Sequence, residues 1–475
     1  MTCLQSLPAG LLVLFFMTPD AGAADVLRGA TIHDGNGGTL ENASIRVEGE
    51  RIACIGSSAQ CLALPDDKVY DMSGRFIAPG LVDAHVHFSQ TGWLDGRPHW
   101  PFVKKFYDYQ QLQTDLSRNP DRWHRAYLCS GITAVFDVGG LPWTTSMAAT
   151  DTIGDTKLPR AHVRAAGPLI THARVPDLVA NGKNTFLQMS SDEQALAGVT
   201  KLVESGSDAV KVWYLDPPAD QREELDRRLM QIGEAARERG LQLIVHATEL
   251  RNAKVALRAG AAALVHSVDD AVVDREFIAL AQSNNVIYMP TLLVGANWSR
   301  ATAAVGLGLV PPVDDPNGCV DPITRKVVEQ APALRDAAPE SWRDVASVFE
   351  NLERSGMDLS VMQRNLVRIH EAGITIATAT DAGNPLTLHG PSIHAEMEAM
   401  QAAGIPPEEV IVMSTRNGAR AIGMIDDIGT LVPDKIADLV ILEQDPADSV
   451  EAFRSITHVM RAGILKNIRE IPKNQ

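Results

Sequence analysis

The sequence lacks any run approaching the roughly 20 apolar residues that a bilayer-spanning helix needs. No membrane span is therefore expected in its 475 residues. Positive charge is scarce: 43 Lys and Arg against 59 Asp and Glu leave a net charge of -16. No block of Lys and Arg offsets that balance, which argues against nucleic acid as a partner, because phosphate backbones are held by concentrated positive charge. Cysteine is limited to five residues, none in a CxxC pair. What is present, 45% hydrophobic and 21% charged residues, is the composition of a globular chain. The length allows two or three units, or one large barrel with a smaller satellite.

The first residues differ from the rest. Leu11 to Met17 form an apolar run, and Ala21-Gly22-Ala23 supplies the small-residue spacing of a signal-peptidase site. Residues 1–23 are read on that basis as a signal peptide, and the protein as exported, periplasmic or secreted. The positive n-region of such peptides is missing, since no Lys or Arg precedes the apolar run. Cleavage removes Cys3 and leaves Cys54, Cys61, Cys129 and Cys319. Export would permit a Cys54–Cys61 bridge across a hairpin. Two separate buried thiols are the other reading, because spacing alone does not set disulfide geometry.

From Asp25 to Ile77 short apolar segments alternate with turn signals, as antiparallel strands do. From Leu81 the rhythm becomes apolar strand followed by amphipathic helix, the form of repeated β-α units around a parallel sheet. Eight such strands are read at GLVDAHVHF, GITAVFDVG, HVRAAGPLI, AVKVWYL, LQLIVHAT, ALVHSV, VIYMPTL and ITIATATDA, with helices such as Arg222 to Arg239 and Glu249 to Ala259 closing on Gly240 and Gly260. The expected fold is α/β: an eight-unit (β/α)8 TIM-like barrel over 80–425. Strand-like segments at 25–79 and 426–475 would combine in a small composite β-sandwich. A Pro-, Gly- and Ala-rich stretch, 294–342, is read as an irregular lid or, failing that, an unrelated surface insertion.

In a parallel barrel the C-terminal ends of all strands meet at one mouth, so polar residues there belong together. The first strand ends His85-Val86-His87, and the two-residue period of a strand puts both imidazoles on one face. Alone, such a pair is often a set of satisfied core histidines. His246 and His266 end the fifth and sixth strands, and Asp381 ends the eighth. A single one of these reads as a core histidine or a turn aspartate, but five at corresponding positions point to a metal suited by neutral imidazole, such as zinc. Lys211 lies inside the apolar fourth strand, where a bare ammonium is costly. It could pair with a carboxylate, act as a base, or take up carbon dioxide as a carbamate.

These six residues, with the lead-in FIAPGLVDAHVHF and the exit GTLVPDKIADLVIL, resemble the amidohydrolase superfamily over nearly the whole chain. The HATEL segment and the strand-four Lys are similar to relatives of imidazolonepropionase and of prolidase-like dipeptidases. The resemblance implies a binuclear centre of two divalent ions, zinc by expectation. His85, His87 and Asp381 would hold one ion and His246 and His266 the other, with carboxylated Lys211 bridging them. It further implies a bridging hydroxide as nucleophile and Asp381 as the base that returns the proton to the leaving group. The activity implied is hydrolysis of an amide-type C–N bond in a small peptide-like or cyclic amide substrate.

Other readings stay open. His246-Ala247-Thr248-Glu249 has the spacing by which related mononuclear deaminases of aminated heterocycles place a proton-shuttling Glu249, although those generally lack the Lys. Glu249 also fits as an acid at a helix N-terminus. Lactone and phosphotriester hydrolysis use the same chemistry, and a non-catalytic metal-binding protein would be expected to have lost a ligand. For substrate contacts the sequence offers Trp213 or Tyr214 beside Lys211, His172 and Arg174 after the third unit, and His389 and His394 after Asp381. His33, His99, His124, His162, His370 and His458 lie outside the strand-end set and are assigned no role.

Overall fold

The computed structural model describes residues 23–95, 97, 100–150, 160–174, 179–180 and 182–471. The apolar leader read as a signal peptide lies outside them, as does His99. Among the described residues no helix is long and apolar enough to cross a membrane.

The two ends of the chain build one eight-stranded sheet. The early strands Asp25–His33, Thr39–Glu48 and Arg51–Ser57 pair antiparallel in sequence order. Gly49, at φ 58°, opens the two-residue connection between the second and third, a place where a side chain would be strained. Phe76–Pro79 then pairs with Leu439–Leu442, Ile77 opposite Ile441, which ties the first segment to the last. Leu27, Ile32, Ile45, Ile52, Ile77, Leu439 and Ile441 pack as one apolar cluster on this sheet. Cys54 and Cys61 are disulfide-bonded, with Cα atoms 5.7 Å apart.

Among the described residues the parallel strands fall into two sheets and do not form one closed hydrogen-bonded ring. The first contains Leu81–Val86, Ile132–Asp137 and His162–Ala165. The second runs, in spatial order, Phe186–Gln188, Leu169–Thr171, Ala209–Trp213, Gln242–His246, Ala263–Val265, Ile287–Met289 and Thr375–Ile376. The difference from expectation lies in the third unit. HVRAAGPLI is two strands: Gly167 turns the chain at φ 66° and Pro168 has no N–H to donate. His162–Ala165 therefore stays in one sheet while Leu169–Thr171 enters the other. Backbone hydrogen bonds cross the gaps: one from Asp208 N to Ala165 O (2.9 Å), and on the other side three, from Ala84 N to Thr378 O (3.2 Å), from Asp381 N to His85 O (2.8 Å) and from His87 N to Ala382 O (2.8 Å).

Helices follow the strands as the pattern requires. Arg222–Glu238 and Leu250–Arg258 are each followed within two residues by a left-handed glycine, Gly240 and Gly260. The stretch read as irregular is largely helical, which corrects that expectation. It contains Val294–Leu307 and Pro322–Glu329, the latter capped by the Asp321 carboxylate with proline at its first position. Its alanines are helix formers, and three of its six prolines, Pro322, Pro332 and Pro339, stand at helix starts, while Pro311, Pro312 and Pro316 lie in the link between helices. The 27-residue helix Val345–Glu371 follows. A second disulfide, Cys129–Cys319, fastens this region to the helix Asp121–Cys129. The Arg122–Asp321 ion pair is buried beside it.

Candidate metal centre

Strand geometry brings the histidine pair together. His85 and His87 leave Leu81–Val86 on one face, and their Nε2 atoms stand 3.2 Å apart. Asp381 Oδ1 lies 3.3 Å from His85 Nε2 and 2.9 Å from His87 Nε2. His87 Nδ1 donates to Gly139 O at 2.6 Å, which leaves Nε2 as the lone-pair nitrogen. His266 Nδ1 is bonded to Thr291 Oγ1 at 2.7 Å, so its Nε2 is likewise left for another partner. The His266 ring centre is 4.5 Å from that of His246 and 5.1 Å from that of His85. His85, His266 and Asp381 each offer one ligand atom within 4.8 Å of the others.

All six expected ligands, Lys211 included, line one cavity of about 500 Å³. His266 and Asp381 sit there at φ 72° and 63°, a left-handed conformation that non-glycine residues hold only when surroundings impose it, as functional sites do.

Burial sets the charge state. It drives His85 and His266 well below the usual imidazole range and His246 to about 3, with neighbouring Lys211 adding to the effect. Burial also brings the Lys211 amine down to about 7, with the Asp381 charge opposing it. The site thus offers neutral imidazoles and an amine able to lose its proton near neutrality, both ligand-competent forms. Asp381 Oδ1 is buried and accepts no hydrogen bond among the described residues, although two imidazole nitrogens face it. Imidazole nitrogens and a carboxylate oxygen converging on one point are a donor set that fits a cation.

The supporting residues were not picked out from sequence. Asp83 accepts from Thr380 N at 3.0 Å, Thr380 Oγ1 at 2.6 Å and His85 N at 3.3 Å, and burial pushes its carboxyl up to about 7. It lies two residues before His85, so the same alternation that paired the histidines was a signal for it. Asp137 accepts from Phe88 N at 2.8 Å and Gly139 N at 3.2 Å, holding the carbonyl that orients His87. Thr291, the partner of His266, carried no such periodic signal.

The expected substrate contacts fare differently. Trp213 lines the cavity together with Phe186, Arg97 and Trp298. Tyr214 does not: its hydroxyl donates to Asp226 on the neighbouring helix. One step along a strand reverses the face, so with Lys211 and Trp213 inward, Tyr214 must point outward. His172 Nε2 donates to Leu215 O at 3.1 Å outside the cavity wall. Glu249 Oε2 accepts from Asn252 Nδ2 at 2.8 Å at the start of Leu250–Arg258, so it too is absent from the wall. His389 stacks on Trp123 with ring centres 4.0 Å apart, and both its nitrogens are bonded, to the Tyr127 hydroxyl and to Gln90 O. His394 donates to Ser130 O at 3.0 Å. Tyr214→Phe is accordingly expected to leave KM within about twofold, whereas Trp213→Leu should raise it by roughly three- to tenfold, the cost of an aromatic contact. Steady-state kinetics of both variants on one substrate would check this; a larger effect at Tyr214 would return it to the cavity.

Residues 76–465 match the model of the amidohydrolase family. The chain is 23% identical over 418 residues to the imidazolonepropionase of Streptomyces griseus subsp. griseus, covering 86% of this chain and 88% of that protein. A short stretch of 62 residues is 42% identical to the N-acyl-D-glutamate deacylase of Alcaligenes xylosoxydans xylosoxydans, only 12% of that protein's length. Among solved structures, a Xaa-Pro dipeptidase with bound methionine in its active site superposes with a TM-score of 0.69 at 20% identity, over 94% of this chain and all of that one.

Proposed function

Because this chain belongs to the amidohydrolase family and is a hydrolase acting on carbon–nitrogen bonds, we propose that it cleaves a peptide-like amide at a two-metal centre held by the six cavity residues. The observation that carries the reading is the convergence of His85 Nε2, His87 Nε2 and Asp381 Oδ1 beside Lys211, His246 and His266. His85, His87 and Asp381 would hold one ion, His246 and His266 the other. Lys211, whose amine burial brings down to about 7, would add carbon dioxide in its neutral form with loss of a proton, and as a carbamate would supply an anionic oxygen ligand to the centre. Zinc suits the imidazole-rich set. Bound there, such ions polarise a carbonyl and acidify water.

The remaining work falls to this chain's own groups. Asp381 takes the proton of the attacking water and passes it to the leaving nitrogen. Asp83 and Thr380 hold the backbone on either side of it, and Gly139 O and Thr291 Oγ1 fix the ring orientations of His87 and His266. Phe186, Trp213 and Trp298 give the cavity an apolar wall that holds the substrate and displaces water. A peptide-like amide fits such a mixed cavity, and the name of one matched structure, a Xaa-Pro dipeptidase, supports that choice. The two parallel sheets are read as parts of one barrel, supported by the backbone bonds across their gaps. Export is proposed from the leader and is consistent with two disulfides.

Elemental analysis of purified protein is expected to find about two divalent ions per chain, falling towards one in Lys211→Ala as the bridge is lost. A stoichiometry of one in the parent chain, unchanged in the variant, would remove the bridged centre. Hydrolysis of a panel of dipeptides, N-acyl amino acids, lactones and aminated heterocycles at fixed metal loading tests the substrate class. Ammonia release from the heterocycles with no amide cleavage would replace this reading by deamination.

A further inference from the structure

One buried carboxyl group takes no part in the centre described above. Glu396, on the helix Ser392–Ala402, is 1% exposed, and an acid so placed persists only with partners. Among the described residues its hydrogen-bond partners are two backbone amides: Oε1 accepts from Leu292 N at 2.6 Å and Oε2 from Leu293 N at 3.2 Å. These amides belong to the short link between the strand Ile287–Met289 and the helix Val294–Leu307. Two features make that link important to the site. Thr291, immediately before Leu292, bonds His266 Nδ1, and it holds φ at 44°, a conformation unfavourable for a β-branched residue. Helix Val294–Leu307, whose own first residue has no side-chain cap at Leu293, sends Val294, Gly295 and Trp298 into the cavity wall.

We propose that Glu396 is a positioning residue that clamps Leu292 and Leu293 so that Thr291 orients the His266 imidazole and helix Val294–Leu307 stays seated against the cavity. The inference rests on His266 being a metal ligand. Leu293 is the N-cap of the helix Val294–Leu307 and Leu292 the residue before it, so a carboxyl group accepting from both amides fastens the helix start from a distant element, while burial pushes that carboxyl up to about 8. Fixing both amides leaves the residue before them little freedom, which is how a strained Thr291 is kept facing His266. The Ser267 hydroxyl bonds Pro290 O at 3.0 Å and pins the other side of the same link.

Zinc affinity, read by competition with a chromophoric chelator, tests the clamp independently of turnover. Glu396→Gln sets an amide N–H₂ against one backbone N–H and is expected to weaken zinc binding by roughly ten- to a hundredfold, the range for partners that orient a metal ligand. Thr291→Val should weaken it similarly, and the double variant should bind no more weakly than Thr291→Val alone, since both act through one ring. At saturating zinc, kcat of Glu396→Gln should return while KM stays raised through the displaced wall helix. If Glu396→Gln does not fold, Glu396→Asp, which reaches one amide at most, serves in its place. Unchanged affinity in the Glu396 variant, or losses that multiply in the double variant, would overturn the clamp. His266→Ala is the control that separates the two levels: parental affinity in that variant overturns the ligand assignment itself, whereas a loss there with none at Glu396 overturns the clamp alone.

Discussion

Asp381→Asn is expected to lower kcat/KM by roughly two to four orders of magnitude, the usual span for removing a positioned general base. The substitution preserves size and leaves a carbonyl oxygen where Oδ1 now lies between His85 and His87, so part of the metal should remain. The lost property is proton acceptance. Turnover measured with zinc in excess, beside elemental analysis of the same preparation, distinguishes the two contributions. Near-parental turnover with metal present would exclude Asp381 as the base and leave it a ligand only.

Removal of the metal should have the second large effect. Dialysis against a strong chelator is expected to take hydrolysis to background, with recovery on adding zinc and none on adding magnesium, which prefers oxygen ligands. Stability should fall as well. A ligand present at about a thousand times its Kd stabilises the folded state by about 4 kcal/mol, and here its loss leaves a buried amine and three buried imidazoles, those of His85, His246 and His266, facing one another. A lower Tm in the stripped protein, restored by zinc, is the expected calorimetric result. Full activity in protein with no detectable ion would end the metal reading.

The centre was legible because its ligands obey the simplest period in the chain. A strand alternates, so His85 and His87 share a face, Lys211 points inward, and four separate strand ends meet. The same rule, applied one residue further, places Trp213 in the cavity and Tyr214 outside it, and Asp83 beside the histidine it supports. What alternation does not encode is backbone that leaves the strand. The positive φ values of His266, Thr291 and Asp381 and the break at Gly167-Pro168 arise where a strand ends and tertiary contacts choose the conformation. His172, His389 and Glu249 lie near the expected mouth in sequence, yet one nitrogen of His172, both of His389 and one oxygen of Glu249 are bonded to neighbours away from it. The helices of the insertion were hidden by composition, because proline was counted as a breaker where it begins a helix.

The Cys129–Cys319 cross-link spans 190 positions, and the chain between its ends carries Lys211, His246 and His266, while His85, His87 and Asp381 lie outside. Closing so long a loop restricts the unfolded chain by about 5 kcal/mol in the chain-entropy model. It also means that a single proteolytic nick within that interval divides the ligand set without dividing the molecule. The two pieces would migrate as one band on a non-reducing gel and separate only when thiol is added, so survival of activity after nicking becomes a property of the oxidised protein alone.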